Sequence, residues 1–364
     1  MRVALTLEQC WHRVPGGTAT SVLALAGALA ARSDVEVVGV AARHGEPPAP
    51  PWVPPVPVRH LRLPRLALYE AWHALRRPRV EAATGPVDLV HATAVAVPGA
   101  RVPLVVTVHD LAFLSEPGHA TRHGLRFFRR GIELTRRHAR LVLVPSEATA
   151  RECEAAGIGP ERVRVVPWGV TPVAVDEAML AAVRTRHALD RPYVLFCGTV
   201  EPRKNLPRVV QAVARLGRDD VELVMVGPEG WNEDLAALLA RLPGRARSLG
   251  FLPQADLAPL YAGAAVVAYP SLREGFGLPA LEAMAQGAPV VTSVGTATEE
   301  VVGDAGVLVD PTSVPAIAAG LDRVLGDPDL ARDLGRRGRA RAATFTWART
   351  AEATVAAYRE VSGG

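Results

Sequence analysis

Two carboxylates stand out in an otherwise apolar stretch at 271–291, which reads SLREGFGLPALEAMAQGAPVV. Glu274 precedes a glycine-rich turn, and Glu282 follows eight positions later, near the start of a predicted helix. The amides expected to face a ligand there are those of Gly275, Phe276, Gly277 and Leu278. Carboxylates only accept hydrogen bonds, so the pair suits a polyhydroxylated ligand, with one acid on sugar hydroxyls and the other on ribose hydroxyls. The alternative is two acids that favour the dipole at a helix start.

A second candidate site is the turn GTVEPRKNLPRVV, 198–210, which follows one predicted strand and opens a helix. Arg203 and Lys204 lie in this turn, and Asn205 is the expected N-cap. Two cations beside the exposed amides of a helix N-terminus suit a phosphate or diphosphate. The alternative is a solvated basic turn.

The first half of the chain offers weaker candidates. The segment VTVHDL, 106–111, places His109 at a strand end, where the ring can donate a hydrogen bond to a ligand or, alternatively, to a loop carbonyl. The segment PGGTATSV, 15–22, predicts a glycine loop before the first helix. Gly16 and Gly17 would let a ligand approach the backbone there, and a plain tight turn is the alternative.

Short, continuously apolar runs alternate with helical patterns along the whole chain, which is typical of parallel strands covered on both faces. In the first half these runs are RVALTL (2–7), VEVVGVAA (35–42), DLVHAT (88–93), LVVTVHDL (104–111), RLVLVPSE (140–147) and VRVVPWGV (163–170). In the second half they are YVLFCGTV (193–200), VELVMVG (221–227), ARSLGFL (246–252), AVVAYPS (265–271), PVVTSVG (289–295) and GVLVD (306–310). The pattern predicts two doubly wound α/β domains in tandem, with ligands at the carboxyl ends of the strands in a cleft between them.

Composition agrees with a globular chain of two domains. The 364 residues are 49% hydrophobic and 21% charged, with a formal net charge of +4. Three cysteines without paired spacing argue against a disulfide framework or a zinc site and favour a reducing cytoplasm. No run approaches the length needed to cross a bilayer, and the opening MRVALTLEQCWH predicts a strand and not a signal peptide.

Several of these segments together resemble one enzyme family. REGFGLPALEAMAQGAPVV resembles the Glu-x7-Glu motif of retaining glycosyltransferases of family 4, which have the GT-B fold. GTVEPRKNL is similar to the family's phosphate-binding turn, and LGFLPQADLAPLYAGAAVVAYPS is similar to its base-binding segment. VTVHDL, LVPSEATARE and VRVVPWGV resemble its amino-terminal-domain signatures, so the matches run in order over nearly the whole chain.

The resemblance implies a GT-B organisation in which two Rossmann-like domains face each other across a cleft. It places an acceptor-binding domain at 1–168, a nucleotide-sugar-binding domain at 169–344, and at 345–364 a C-terminal helix that crosses back to the first domain. The donor would be a nucleoside diphosphate hexose of mannose or glucose type, such as GDP-mannose or a UDP-sugar. The acceptor would be a hydroxyl of a glycan, a lipid-linked compound or a small-molecule glycoside.

The resemblance also implies roles for individual residues. Arg203 and Lys204 would neutralise the departing diphosphate, Glu282 would hold the ribose, and Glu274 would contact the donor sugar beside the amides already named. The remaining implied contacts are Gly16 and Gly17 to the diphosphate, His109 to a sugar hydroxyl, and Gly250 and Phe251 to the base.

Cations and amides can stabilise the negative charge that develops on a leaving diphosphate, so neither a metal nor another cofactor is expected. The string Asp327-Pro328-Asp329 is read as a helix start and not as a metal site. The resemblance implies attack on the front face of the sugar, with the leaving phosphate as base. Two rival functions remain open: a nucleotide-sugar epimerase on the same fold, and a non-catalytic GT-B scaffold.

Two stretches of the first domain are strongly basic. Residues 58–80 contain six arginines and one glutamate, and residues 119–140 contain seven arginines and one glutamate. A helix from about Leu66 would place Leu68, Trp72 and Leu75 on one face. These stretches predict peripheral contact with an anionic membrane at the inner face of the plasma membrane. The alternatives are core residues with solvated arginines, or a basic pocket for an anionic soluble acceptor; nucleic acid is not expected, because no recognition motif accompanies the charge.

Overall fold

The computed structural model describes residues 1–12, 16–115, 122–228, 230 and 234–362. The chain divides into two compact units: unit 1 comprises 1–169 and 346–364, and unit 2 comprises 170–345. The chain passes from unit 1 to unit 2 after residue 169 and returns after residue 345. Both boundaries lie one residue later than the sequence predicts. Both units are parallel-sheet α/β structures, as the sequence predicts.

Over the described residues, unit 1 is built on a seven-stranded parallel sheet. Its strands are β1 (Arg2–Thr6), β2 (Glu36–Ala41), β3 (Val58–His60), β4 (Leu89–Ala92), β5 (Leu104–Thr107), β6 (Leu141–Val144) and β7 (Val163–Val165). The strand order is β3-β2-β1-β4-β5-β6-β7. Along β1, Val3 and Leu5 enter one buried cluster and Ala4 enters the other, so both faces of the sheet are covered. The sequence interpretation missed β3, because this short edge strand is mostly exposed and lacks an apolar run.

The helices of unit 1 cover the two faces of this sheet. They are α1 (Gly16–Ala30), α2 (Arg65–Leu75), α3 (Glu81–Thr84), α4 (Ala112–Ser115), α5 (Arg122–His138), α6 (Glu147–Ala155) and, from the C-terminus, α15 (Trp347–Ser362). The predicted return of the C-terminal helix to the first domain is confirmed. The hydroxyl of Tyr358 on α15 is buried and lies 2.6 Å from Nδ1 of His91 on β4.

The face predicted for the helix after Leu66 is only partly correct. In α2, Leu68 and Trp72 are buried in the core of unit 1, but the side chain of Leu75 is 71% exposed at the helix end. The indole nitrogen of Trp72 donates to the carbonyl of Pro78 at 2.9 Å, which satisfies its one polar atom. The core alternative therefore holds for two of the three apolar residues.

Unit 2 contains a six-stranded parallel sheet over the residues that are described. Its strands are β8 (Tyr193–Cys197), β9 (Glu222–Val226), β10 (Ala246–Ser248), β11 (Val266–Tyr269), β12 (Val290–Ser293) and β13 (Val307–Val309). Its helices are α7 (Glu177–His187), α8 (Leu206–Arg215), α9 (Leu235–Leu239), α10 (Gln254–Gly263), α11 (Leu278–Ala285), α12 (Ala297–Val302), α13 (Val314–Gly326) and α14 (Pro328–Ala342). In α8, for example, Leu206, Val209, Val210 and Val213 recur at helical spacing and are all buried.

The two sheets share one topology. The order in unit 2 is β10-β9-β8-β11-β12-β13, so the connection reverses direction between β8 and β11, as it does between β1 and β4 in unit 1. In open parallel sheets, ligands bind beyond the carboxyl ends of the strands at such a switch point. The loops after β8 and β11 are therefore where a ligand of unit 2 is expected.

Candidate functional site

The switch point of unit 2 brings three predicted site residues together. Arg203 and Lys204 lie in a 3-10 turn after β8, and Glu274 lies in the loop after β11. Lys204 Nζ is 2.6 Å from Glu274 Oε1, and Arg203 Nη1 is 3.1 Å from Glu274 Oε2. Each oxygen of one carboxylate thus pairs with a different cation, across two loops that are 70 residues apart in sequence.

Burial and charge act against each other in this network. The side chains of Lys204 and Glu274 are only 8% and 6% exposed. Burial alone would raise the pKa of Glu274, but the attraction of Lys204 and Arg203 lowers it to about 2. The pKa of Lys204 is lowered, because burial and the nearby charge of Arg203 outweigh the attraction of Glu274. The 2.6 Å contact between Nζ and Oε1 agrees with a charged pair.

Two further groups complete the network. The carboxylate of Glu201 lies 2.7 Å from Arg203 Nε, so Arg203 bridges two acids. The ammonium of Lys204 also donates to the hydroxyl of Tyr269 at the end of β11. The side chain of Arg203 is 24% exposed, so one face of this cation remains open to solvent or a ligand.

Asn205 lies at the predicted N-cap position of α8 but does not cap the helix. Its backbone is left-handed, with φ at 65°, and its side chain makes no capping hydrogen bond. Instead, Nδ2 donates to the carbonyls of Pro270 and Pro311 at 2.8 and 2.7 Å. The buried amide of Asn205 thus links the cationic turn to the loops after β11 and β13, and these two hydrogen bonds take the place of a cap.

Glu282 lies on α11, where the side chain of Tyr261 from α10 contacts it. The hydroxyl of Tyr261 donates to Glu282 Oε2 at 3.2 Å. Burial raises the pKa of Glu282 to about 7, although the hydrogen bond from Tyr261 opposes this shift. Glu274 is therefore an ionised, cation-paired acid at neutral pH, whereas Glu282 is an acid close to its titration point.

The segment between the two acids is shaped by glycine. Gly277 has φ at 105°, and a Cβ there would lie 2.6 Å from Cγ2 of Thr298. A side chain is therefore excluded on both conformational and steric grounds. Gly275 is buried, Leu278 begins α11, and the buried ring of Phe276 packs edge-on against Phe345 at 6.0 Å. Only the backbone of Phe276 is suited to meeting a ligand.

The predicted base-binding residues follow β10 at the carboxyl edge of the same sheet. The carbonyl of Gly250 accepts a hydrogen bond from the amide of Gly227 at 2.8 Å. The ring of Phe251 is 62% exposed, which is unusual for an aromatic side chain next to a sheet of buried residues. An exposed ring at this edge is suited to stacking on a planar base.

In unit 1, His109 takes the alternative that the sequence left open. Its Nε2 donates to the carbonyl of Thr93, at 2.7 Å, and the ring lies 5.2 Å from that of Trp168. Burial lowers the pKa of His109, so the neutral form is favoured. Its buried Nδ1 has no hydrogen-bond partner among the described residues. The ring could therefore accept a hydrogen bond from a ligand hydroxyl, where the sequence interpretation expected it to donate.

The predicted glycine loop is also corrected. Gly16 and Gly17 are exposed and form the first turn of α1, so they do not precede the helix. Gly16 has φ at 61°, a conformation in which glycine is strongly favoured. Exposed amides therefore do occur there, at a helix N-terminus.

The sequence interpretation missed Tyr261, Tyr269 and Glu201. Tyr269 could have been suspected, because it is the one polar side chain in the strand VVAY. Nothing in the sequence links Tyr261 to Glu282 or Glu201 to Arg203, since these contacts depend on tertiary structure.

Asp327 caps a helix, as its sequence context predicts. Its carboxylate accepts hydrogen bonds from the amides of Asp329 and Leu330 at 3.1 and 2.9 Å, at the start of α14. Within the described part of the chain, no group of three or more His, Cys, Asp or Glu side chains has the arrangement of a metal site. All three cysteines are buried as free thiols, and burial raises the pKa of Cys197 to about 12.

Known protein families match both halves of the chain. Residues 182–341 match the family described as Glycosyl transferases group 1, and residues 15–173 match Glycosyltransferase Family 4. O-antigen chain mannosyltransferase B of Escherichia coli is 32% identical over 265 residues, covering 70% of each chain. D-inositol 3-phosphate glycosyltransferase of Acidothermus cellulolyticus is 32% identical over 388 residues, covering 95% of this chain and 86% of its own. The chain belongs to these glycosyltransferase families.

Solved structures show the same fold. Anabaena HepE in complex with UDP-glucose superposes with a TM-score of 0.78 at 20% identity, covering 99% of this chain and 100% of its own. WaaG, a glycosyltransferase involved in lipopolysaccharide biosynthesis, gives a TM-score of 0.73 at 20% identity over the full length of both chains. The protein thus has a GT-B fold, as predicted. None of the helices in the described ranges is both long and apolar enough to span a bilayer.

Proposed function

We propose that this glycosyltransferase transfers a hexose of mannose or glucose type, with retention, from a nucleoside diphosphate sugar to a hydroxyl acceptor. The observation that carries the proposal is the pairing of Arg203 and Lys204 with Glu274 at the β8/β11 switch point. Fixed cations at this position would stabilise the charge that develops on a departing diphosphate. The named mannosyltransferases and inositol phosphate glycosyltransferases among the relatives support the sugar class and a hydroxyl acceptor.

The roles in unit 2 follow from charge and exposure. Glu274 pairs with both cations and presents a carboxylate, kept ionised, to the donor sugar. Glu282 accepts hydrogen bonds from the ribose with the oxygen that Tyr261 does not occupy. Phe251 stacks on the base, and Gly250 lets the chain turn there. The backbone of Gly275, Phe276, Gly277 and Leu278 lies beside the sugar.

The roles of unit 1 stay predictions. His109 would contact a sugar hydroxyl through Nδ1, and Gly16 and Gly17 would contact the diphosphate through their amides. The acceptor would be a glycan, a lipid-linked compound or a small-molecule glycoside. The enzyme would act in the cytoplasm, with peripheral contact to an anionic membrane surface.

One experiment separates transfer from its rivals. The protein is incubated with radiolabelled GDP- and UDP-sugars, with and without a lipid extract, and both nucleotide sugars and products are resolved. Transfer predicts labelled acceptor plus free nucleoside diphosphate, whereas an epimerase yields a second nucleotide sugar and a scaffold yields neither. The same incubation with EDTA tests metal independence. Loss of transfer that is restored by magnesium or manganese would overturn that part of the proposal.

A further inference from the structure

Unit 1 contains a cavity of about 610 Å³ between α2 and α5. From α2 it is lined by Glu70, His73 and Ala74, and from α5 by Phe127 and three arginines. The arginines are Arg126, Arg129 and Arg130. None of these side chains takes part in the donor site of unit 2, so the cavity needs an explanation of its own.

The three arginines are spaced so that they share one face of α5, where their like charges repel one another and destabilise the helix. The one acid of α5, Glu133, does not relieve this. Its carboxylate is held by Arg136 at 2.9 Å and by Arg137 at 2.5 Å, on the last turn of the helix. Among the described residues, Arg126 and Arg129 form no ion pair, and Arg130 donates only to the carbonyl of His73, at 3.4 Å.

Another arginine-rich helix of the same chain is arranged differently. In α14, Arg332 and Arg336 each pair with an aspartate three residues earlier. Arg337 pairs with Asp304 at 3.0 Å and with Asp333 at 3.4 Å. This is how a solvated basic face is normally neutralised. Within the described ranges, the arginines of α5 that face the cavity have no acidic partner, which leaves their charge available to an anionic ligand.

The wall behind the arginines is rigid and partly apolar. The ring of Phe127 stacks on His73 at 4.4 Å and on Tyr69 at 5.4 Å. His73 is buried, and burial lowers its pKa to about 4, so it is neutral at physiological pH. Three arginines against the single carboxylate of Glu70 give the lining a formal charge of +2. On the same face of α2, one turn before Glu70, Leu66 is 67% exposed.

We propose that this cavity is a binding site for a phosphate-bearing group. Arginine forks match the oxygens of phosphate in geometry and charge, and here they converge from one helix face. The volume is within the range of sites for small organic ligands, so the phosphate would carry further substituents, such as a sugar or a glycerol. Either a soluble phosphate ester or the headgroup of a phospholipid supplies this chemistry.

The site is separate from the donor site, and binding there does not depend on transfer; a headgroup held in it would supply the membrane contact proposed above. All its residues belong to unit 1, and binding can be measured without any nucleotide sugar. If the proposed donor site were disproved, the proposal for this cavity would still stand. Disproof of the cavity proposal would likewise leave the donor site unaffected.

The test compares two triple variants that remove equal charge. The first is Arg126→Ala, Arg129→Ala and Arg130→Ala in α5, and the control is Arg332→Ala, Arg336→Ala and Arg337→Ala in α14. Because both lose three cations, non-specific attraction to anions falls equally. Calorimetry with inorganic phosphate and glycerol 3-phosphate measures soluble esters. Co-sedimentation with phosphatidylglycerol vesicles, and with phosphatidylcholine vesicles as a neutral reference, measures headgroups. Circular dichroism checks that both variants are folded.

We expect wild type and the α14 variant to bind at least one phosphate probe, and the α5 variant to bind it at least tenfold more weakly. Binding of glycerol 3-phosphate in solution identifies a soluble ester, and binding of phosphatidylglycerol alone identifies a headgroup. Inorganic phosphate that binds at Arg203 and Lys204 would bind equally to both triple variants. It therefore cannot produce the difference expected between them. Equal binding by the two triple variants, or no binding of any phosphate probe by wild type, would overturn the proposal.

Discussion

The two units use one sheet topology for different chemistry. At the switch point of unit 2, two cations and two acids meet in a mostly buried ion network. At the switch point of unit 1, the described contacts around Thr93 join uncharged groups, with Gln9 Nε2 donating to Thr93 Oγ1 at 2.7 Å and His109 bonded to the carbonyl of Thr93. The neighbouring carboxylate of Glu8 is buried and lies 2.9 Å from Nε2 of His44. The fold therefore fixes where a ligand binds, while the loops after the strands decide what the ligand is. A charged site suits a diphosphate, and a neutral polar site suits hydroxyl groups.

The largest loss of turnover is expected when a cation is removed from unit 2. Arg203→Ala and Lys204→Ala should each lower turnover roughly 100- to 1000-fold, because the leaving diphosphate loses a charge-stabilising group. Lys204→Ala leaves the buried Glu274 paired with Arg203, so its cost in the free energy of unfolding should be smaller than the roughly 3–5 kcal/mol of a fully unpaired buried charge. Arg203→Ala also removes a cation from two buried carboxylates, those of Glu201 and Glu274, so it too should lower the free energy of unfolding.

The matched control is Arg215→Ala, at the exposed far end of the same helix α8. It should leave turnover within about twofold of wild type, because surface charges contribute little. Near-normal turnover in both site variants would remove the diphosphate role from this turn.

Substitutions of the two acids of unit 2 should have different effects: one should weaken nucleotide binding, and the other should slow transfer. Glu282→Ala should weaken nucleoside diphosphate binding about 10- to 100-fold, because hydrogen bonds to a charged group contribute about 1.5–3 kcal/mol. Glu274→Ala should leave this binding unchanged or stronger, since it removes one acidic partner from each cation, yet it should slow transfer. Calorimetry with the bare nucleoside diphosphate decides, with the exposed Glu177→Ala as control. An unchanged dissociation constant for Glu282→Ala would contradict the ribose assignment.

The pKa of Glu282 predicts a pH dependence for donor binding. Its value near 7 means that the ribose-accepting carboxylate forms mainly above pH 7. Affinity for the intact nucleotide sugar, which has no phosphate titrating in this range, should rise up to about tenfold between pH 6 and pH 8. The sign for stability is opposite: a raised folded-state pKa favours the protonated native state, so its contribution is lost as pH rises through 7. Glu282→Ala should flatten the binding profile, and an equally steep profile in that variant would assign the titration elsewhere.

The smallest effect on transfer is expected from a substitution in unit 1. His109→Ala should slow transfer about fivefold, the worth of one hydrogen bond between uncharged groups. It should leave the affinity for a bare nucleoside diphosphate unchanged, because the predicted contact is with a sugar hydroxyl. His138→Ala, exposed at the end of α5, serves as control. A loss of nucleoside diphosphate affinity in His109→Ala would show that unit 1 also carries part of the diphosphate site.

The sequence was sufficient for the fold, and it predicted three residues that the structure brings together at the candidate site. Apolar runs identified twelve of the thirteen strands in the described ranges, because buried parallel strands lack polar positions. The exception, β3, is an exposed edge strand. Arg203, Lys204 and Glu274 were predicted as a group because each follows a strand, and parallel strands end at one edge of a sheet.

What the sequence could not supply were side-chain partners. Three residues have roles that depend on contacts with residues far along the chain: Asn205, Tyr261 and Thr93. The sequence around each of them does not indicate which residue it will contact. The start of α1 was placed too late because Gly16 and Gly17 have low helix propensity. In the structure they nonetheless form its first turn, where a glycine is tolerated.

The most direct test of the central claim is a thermal-shift measurement with nucleoside diphosphates, comparing wild type with Glu282→Ala. The claim is that the loops after β8, β10 and β11 hold the nucleoside diphosphate of the donor. At 100 times its dissociation constant, the correct nucleoside diphosphate should stabilise wild type by about 2.7 kcal/mol, and Glu282→Ala should lose most of that shift. No stabilisation of wild type by GDP, UDP, ADP, CDP or dTDP, or an equal shift in both proteins, would contradict the account.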